Sequence, residues 1–340
     1  MTREVAARAP TRIDLGGGWT DVPPYCDREG GFVCNIAINR YATARLTANR
    51  SATSVSERGA TSVSVRAAAS VSVRRESRIT EGDALLVRAA LKRSGVDEVA
   101  VSLENDFPVG AGLGGSSAAS AAMLGALSAW RGQPWDAAEI AEEGRRIEVE
   151  ELGVAGGRQD HYAATHGGAL ALTFTDVVDV RRIPMTQKTK EGFIARATLI
   201  YTGQSRISGD TITAVLGAYE AGDPRVLNAL RRMRALADAM AGALERSDLD
   251  AVGELLHEHW EHQRSLHPSI PTARIDEIVS RSRQAGALGA KAMGASGGGC
   301  VLVMARRDHA AQVREAVRPL GEILEFEIDD GGLTVTAGGA

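Results

Sequence analysis

The sequence predicts an α+β fold in two domains. Three observations point there. The chain has 340 residues, and at roughly 150 residues per domain that length predicts about two domains, each able to bury a core. Hydrophobic residues make up 44% and charged residues 24%, a globular balance that leaves little room for long disorder. Stretches of strand period and stretches of helix period occur in both halves, without an internal repeat.

Ala44 to Arg74 alternates small apolar and polar residues, as in Val71-Ser72-Val73-Arg74, and predicts a strand meander whose Ser and Arg form a solvated face. Gly82–Ser94 reads as a helix and Val99–Glu104 as a strand. Ser116–Trp130 reads as an Ala/Leu-rich helix stopped near Gly132 and Pro134, and Asp136–Leu152 as another helix. Ala169–Phe174 and Ala197–Tyr201 read as strands. The segment Arg181–Gly192 between them reads as a junction, which divides the chain into residues 1–185 and 186–340. Beyond Gly209 the pattern is helical through Leu266, interrupted near Gly222–Pro224 and Ser247–Leu249 and closed by Pro268 and Pro271. A helix around Arg274–Ala285, the loop Gly294–Gly299, a strand Val301–Met304, a helix around Ala310–Val317 and a strand Glu322–Ile328 complete the reading.

The formal charge of −4 provides no global basic field for nucleic acid or an anionic membrane. Cys26, Cys34 and Cys300 are odd in number and lack metal-ligand spacing, which fits a reducing cytoplasm. Met1–Ala9 is charged rather than apolar, and no run approaches the ~20 apolar residues needed to span a bilayer.

The most informative segment is Pro108-Val109-Gly110-Ala111-Gly112-Leu113-Gly114-Gly115-Ser116-Ser117, between a predicted strand and a predicted helix. Glycines let a backbone approach an anion closely, and the free amides and dipole of a helix start attract phosphate. Gly110, Gly112 and Gly115 also satisfy G-x-G-x-x-G. A dinucleotide-binding oxidoreductase, however, wants that motif on the first strand of a βαβ unit and an acid at a strand end ~20 residues on. Here some hundred residues precede the loop, and Asp136 and Glu139 open a helix. A Walker A loop requires lysine where Ser116 stands. Taken alone, the loop remains open between a phosphate site, a dinucleotide site and a plain connection.

Two more segments extend the pattern: Pro10-Thr11-Arg12-Ile13-Asp14-Leu15-Gly16-Gly17-Gly18-Trp19-Thr20-Asp21 and Lys291-Ala292-Met293-Gly294-Ala295-Ser296-Gly297-Gly298-Gly299-Cys300. With the central loop they resemble, in order, the three motifs of the GHMP kinases, named for galactokinase, homoserine kinase, mevalonate kinase and phosphomevalonate kinase. The resemblance implies an N-terminal domain like ribosomal protein S5 domain 2, a ferredoxin-like C-terminal domain and an active site in the cleft between them. It further implies ATP as phosphoryl donor, Mg²⁺ as cofactor, and Pro108, Gly110, Ala111, Gly112, Leu113, Gly114, Gly115, Ser116 and Ser117 as the nucleotide loop.

Phosphoryl transfer needs a positioned nucleotide, charge neutralisation and an oriented hydroxyl. Asp160 stands where family members carry the catalytic base, although Asp is also a common helix cap. Arg12 resembles the arginine that assists it. Glu148, twelve residues earlier, resembles a magnesium-binding glutamate, and Ser116, or Ser117 if Gly115 shifts the register, resembles the magnesium-binding serine. Gly17, Gly18, Trp19, Thr20, Asp21, Gly157, Gly297 and Gly298 then fall where the acceptor binds. Arg206 and Arg264 are candidate clamps for an acceptor phosphate. The run His257-Glu258-His259-Trp260-Glu261-His262 lacks His-x-x-x-His spacing and reads as a solvated or capping cluster.

For the acceptor, Gly17-Gly18-Trp19-Thr20-Asp21 lacks the glutamate and histidine of galactokinases. Gly16 to Tyr25, Gly156 to Asp160 and Thr202 to Arg206 are instead similar to kinases of D-glycero-D-manno-heptose 7-phosphate, and Trp19 to L-fucokinases. Both groups phosphorylate an anomeric hydroxyl. A catalytically silent sugar-binding relative would show the same motifs.

Overall fold

The computed structural model describes residues 3–48, 62–64, 70–73, 81–97, 99–154, 156–204 and 209–338. In the first half the elements are β1 (Glu4–Gly16), α1 (Tyr25–Glu29), β2 (Gly31–Ala48), β3 (Ser62–Ser64), β4 (Ser70–Val73), α2 (Glu81–Ser94), β5 (Val99–Asn105), α3 (Gly115–Trp130), α4 (Ala137–Arg146), α5 (Gln159–His166), β6 (Ala169–Phe174) and β7 (Val178–Ile183). In the second they are α6 (Gln187–Arg196), β8 (Ala197–Tyr201), α7 (Gly209–Glu220), α8 (Pro224–Glu245), α9 (Leu249–Ser265), α10 (Ala273–Gln284), β9 (Ala287–Ala292), β10 (Cys300–Ala305), α11 (Ala310–Val317), β11 (Glu322–Leu324) and β12 (Thr334–Gly338). Much of the predicted meander, and Arg206, lie outside the described residues.

The strands form two sheets. The first runs β12-β1-β2-β5-β4-β3, with β6 on β2 and β7 on β6, and the second runs β11-β8-β10-β9. Long β1 and β2 pair antiparallel, with register shifts at Pro10/Thr11 and Asp14/Gly16. Such irregularities re-aim side chains, and these two bracket Arg12 and Asp14. Helix α3 is buried along Ser117–Ser128 because its small Ala, Ser and Gly side chains let neighbouring backbones close on it.

The structure fills in the junction and carries one late strand across it. The junction Arg181–Gly192 is ordered structure: β7 pairs with β6, and α6 follows with Thr186 capping its first turn through Thr189 N–H. Strand β7 alternates only over Val178-Asp179-Val180-Arg181 before Arg182 breaks the period, with both arginines exposed, too short a run to announce a strand. Moreover, β12 pairs with β1, so the end of 186–340 belongs to the first sheet.

One apolar core crosses both halves, joining Ile13 and Leu15 to Leu236, Leu256, Met293 and Leu302. Trp260 is fully buried in a neighbouring cluster, and burial of so large a side chain contributes on the order of 1.5–3 kcal/mol. Cys26, Cys34 and Cys300 are buried and unpaired. Among the described residues, no helix is long and apolar enough to cross a membrane.

Candidate active site

At the centre of the cleft, β1 delivers Arg12 to the first turn of α5. Arg12 Nε donates to Asp160 Oδ1 at 2.8 Å, its second guanidinium nitrogen lies 2.6 Å from the same oxygen, and Nη1 donates to the Gly112 carbonyl at 2.7 Å. Arg12 is 2% exposed, so salt screens this ion pair less than it would a surface pair. Asp160 does not cap α5, whose N-cap is Arg158.

Two cavities meet at this point. One, of about 290 Å³, is walled by the loop from Pro108 to Ser117. The other, of about 260 Å³, is walled by Gly18, Trp19, Asp21, Gly157 and Gln159. Ser116, Glu148 and Asp160 border both.

The loop wall is built from backbone. Gly110, Gly112 and Gly114 have positive φ. A Cβ on Gly112 would stand 2.8 Å from the Met293 carbonyl. Gly114 caps α3 in the left-handed conformation, and the first turn of α3 carries no acidic side chain, so its unpaired amides are open to an anion. The two serines separate cleanly: Ser116 is exposed, whereas Ser117 is 3% exposed and lies 3.4 Å from His161 Nε2. His161 Nε2 also lies 2.9 Å from Glu148 Oε2, which anchors that carboxylate. Glu148 sits in a π-turn, Ile147–Glu151, a feature found frequently at functional sites.

The second wall carries buried charge. Asp21 is 1% exposed and accepts the Gln159 N–H at 3.1 Å. Burial, with Asp160 and Asp14 adding to it, raises its pKa to about 7. A Cβ on Gly157 would sit 1.9 Å from Asp21 Oδ2, so only glycine permits this approach. Asp14 receives Lys291 Nζ on both its carbonyl and its Oδ2, each at 2.8 Å. Burial alone would raise the Asp14 pKa, but Lys291, then His259 and Arg12, outweigh it and lower it.

His259 is fully buried, which corrects the expected solvated cluster. Burial, then Lys291, lowers its pKa to about 3. The ring is therefore neutral, and its Nε2 accepts the Gly17 N–H at 2.9 Å.

The remaining predicted residues divide between wall and scaffold. Gly17 has φ +89°, and a Cβ there would strike the Phe32 carbonyl. Thr20 bonds the Gly17 carbonyl at 2.7 Å and the Phe32 carbonyl at 3.1 Å. Both shape the turn, whereas Gly18, Trp19 and Asp21 border the cavity. In the third motif Gly294 and Ala295 border it, while the Gly297 N–H donates to the Ile270 carbonyl and Gly298 stays off the wall. The Cys300 N–H donates to the Ala111 carbonyl at 2.7 Å, so that motif buttresses the central loop. Arg264 pairs with Asp276 at 2.9 Å and does not border the cavity.

Asp14, Gln159, His161, His259 and Lys291 escaped sequence reasoning. All but His259 stand inside or beside the quoted motifs, which was the available signal, but no spacing told that they meet.

Comparison with known proteins agrees with this geometry. Residues 82–168 match the GHMP kinases N terminal domain, and residues 240–322 match the GHMP kinases C terminal. The chain is 27% identical over 304 residues to D-glycero-alpha-D-manno-heptose 7-phosphate kinase of Campylobacter jejuni, covering 87% of this chain and 88% of that protein. It is 28% identical to L-fucokinase/L-fucose-1-P guanylyltransferase of Bacteroides fragilis, covering 98% of this chain but 38% of that longer protein. Among solved structures, a D-glycero-D-manno-heptose 1-phosphate kinase from Bacteroides thetaiotaomicron superposes with a TM-score of 0.72 at 25% identity, over 99% of this chain and 100% of that one. With three motifs lining one cleft and both family domains present, the chain belongs to the GHMP kinase family and is an ATP-dependent phosphotransferase.

Proposed function

We propose that this ATP-dependent sugar kinase transfers the γ-phosphoryl group to the anomeric hydroxyl of a heptose 7-phosphate. The observation that carries the reading is the shared wall: Ser116, Glu148 and Asp160 border both the loop cavity and the acceptor cavity, so donor and acceptor meet at the carboxylates. Similarity to a heptose 7-phosphate kinase along nearly the whole of both chains supports the acceptor.

The amides of Gly110–Ser117 and the start of α3 hold the nucleotide phosphates. Both Arg12 contacts fall on Asp160 Oδ1, which leaves Oδ2 to accept the hydroxyl proton as the sugar oxygen bonds to phosphorus and ADP departs. Ser116 and Glu148 offer the hard oxygen donors that Mg²⁺ takes, and would hold an ion that neutralises phosphate charge when bound. Asp21 accepts hydrogen bonds from acceptor hydroxyls. The buried, unpaired cysteines support a reducing compartment such as the cytoplasm for this work.

One observation favours a second reading, a free sugar such as L-fucose. Among the described residues, the only cation on the acceptor wall is Arg12, and it is already bound to Asp160, while Arg206 lies outside them. ADP release measured across heptose 7-phosphates and free sugars, with Asp160→Asn as background, separates the readings. A response to free sugars alone overturns the phosphorylated acceptor, and no response above the mutant overturns the kinase assignment of this site.

A further inference from the structure

Buried polar side-chain atoms in folded proteins are nearly always hydrogen-bonded, and each exception calls for an explanation. Among the described residues, Asp14 Oδ1, Gln159 Oε1 and Trp19 Nε1 are buried without a partner, and all three residues border the acceptor cavity. They are also neighbours. A Cβ on Gly18 would stand 2.4 Å from Asp14 Oδ2 and 3.1 Å from Gln159 Nε2, so the carboxylate and the carboxamide flank one glycine. Trp19 follows directly, at φ +80°, a conformation that a bulky residue adopts only when its surroundings hold it.

The chemistry of the three atoms is specific. Lys291, fully buried and 2.8 Å from Asp14 Oδ2, occupies one carboxylate oxygen and keeps the group ionised, so Oδ1 is acceptor-only. Gln159 Oε1 is a second acceptor, and the Trp19 indole N–H is a donor only. Two adjacent acceptors and one donor match the hydroxyls of a polyol, each of which both donates and accepts.

We propose that Asp14 and Gln159, with Trp19, form a hydroxyl-reading set on the acceptor wall, distinct from Asp21 and fixed by Lys291 from the second sheet. The set rests on the sugar-kinase reading but not on which sugar is phosphorylated. Its ligand class is a neutral polyhydroxylated ring, and it determines which acceptor hydroxyls are recognised.

Gln159 gives a clean test, because its side chain makes no hydrogen bond to any described residue and Gln159→Met keeps both the volume and the backbone N–H bound to Asp21. Steady-state kinetics of wild type and Gln159→Met, on the sugar from the panel above that best stimulates ADP release, should show an acceptor KM raised about tenfold, the scale of one lost hydrogen bond. The KM for ATP and the melting temperature should stay unchanged. Against monodeoxy analogues of that sugar, one analogue should lose about tenfold on wild type and nothing further on Gln159→Met. The double variant Asp14→Leu/Lys291→Met, which leaves neither ion buried alone, should raise the acceptor KM with a different analogue as its match.

An unchanged acceptor KM in Gln159→Met, or penalties that add for every analogue, would overturn the set while leaving the kinase reading intact. If a free sugar rather than a heptose 7-phosphate is the acceptor and the matched analogue is found, the set stands and the phosphorylated acceptor falls. Absence of sugar binding by calorimetry to wild type overturns both.

Discussion

The two walls of the cleft are built in opposite ways. The loop wall, which we propose for the nucleotide, is a backbone device: glycines at positive φ, free amides at a helix start, and a third motif bonded behind them through Cys300 and Ala111. The second wall, which we propose for the acceptor, is a side-chain device: Asp14 and Asp21 border the cavity, Lys291 bonds Asp14 and His259 bonds Gly17 from behind it, and all four are essentially buried. Backbone amides bring a fixed, uncharged field and need no counter-charge to hold it in place. Buried ionisable groups need partners, and those partners come from strands and helices distant in sequence. The donor side therefore tolerates little change in shape, and the acceptor side little change in charge.

The comparison can be tested where the walls meet. Asp160→Asn should lower kcat by about 10²–10⁴-fold, the range for loss of a general base, with both KM values near wild type. A small change would remove Asp160 from the chemistry. On the acceptor side, Lys291→Met leaves Asp14 charged, buried and unpaired, which should cost about 3–5 kcal/mol of stability in urea unfolding. A loss near 1 kcal/mol would mean that water reaches Asp14 and that the wall is not dry.

The same wall should tilt stability with pH in two directions. Asp21 has its folded pKa raised from 3.8 to about 7, so stability is lost as pH rises from about 4 through 7, by up to about 4 kcal/mol. Asp21→Asn should accordingly gain stability over wild type above pH 7 and gain little at pH 4, while losing acceptor affinity. His259, lowered from 6.5 to about 3, acts oppositely: its contribution is complete above pH 6.5 and drains away as pH falls towards 3. His259→Gln should flatten that acid limb in urea midpoints measured from pH 7 to 4, and an unchanged limb would assign it to other groups. The smallest effect belongs to the donor wall. Gly112→Ala puts a Cβ 2.8 Å from a carbonyl at φ +77° and should raise the KM for ATP about tenfold, for a strain of 1–3 kcal/mol, with the acceptor KM unchanged.

Local rules read some elements well. Helices α2, α3, α7, α8, α9 and α10 lie where caps, prolines and periodicity place them, because those signals act within a few residues. Strand β7, helix α6 and strand β9 did not announce themselves. Ala287–Ala292 is entirely buried and lacks alternation because both of its faces are covered.

What the sequence determined by itself is a glycine-rich loop ahead of a helix start and the order of the three motifs, since glycine spacing and helix signals act through local backbone geometry that suits an anion without saying which one. Only the tertiary structure decided that Ser116 is exposed where Ser117 is buried, that His259 is neutral and buried, and that Lys291 reaches 277 positions back to Asp14. These are matters of charge and burial. A side chain's ionisation depends on what surrounds it in space, and for this wall the surroundings are assembled from opposite ends of the chain.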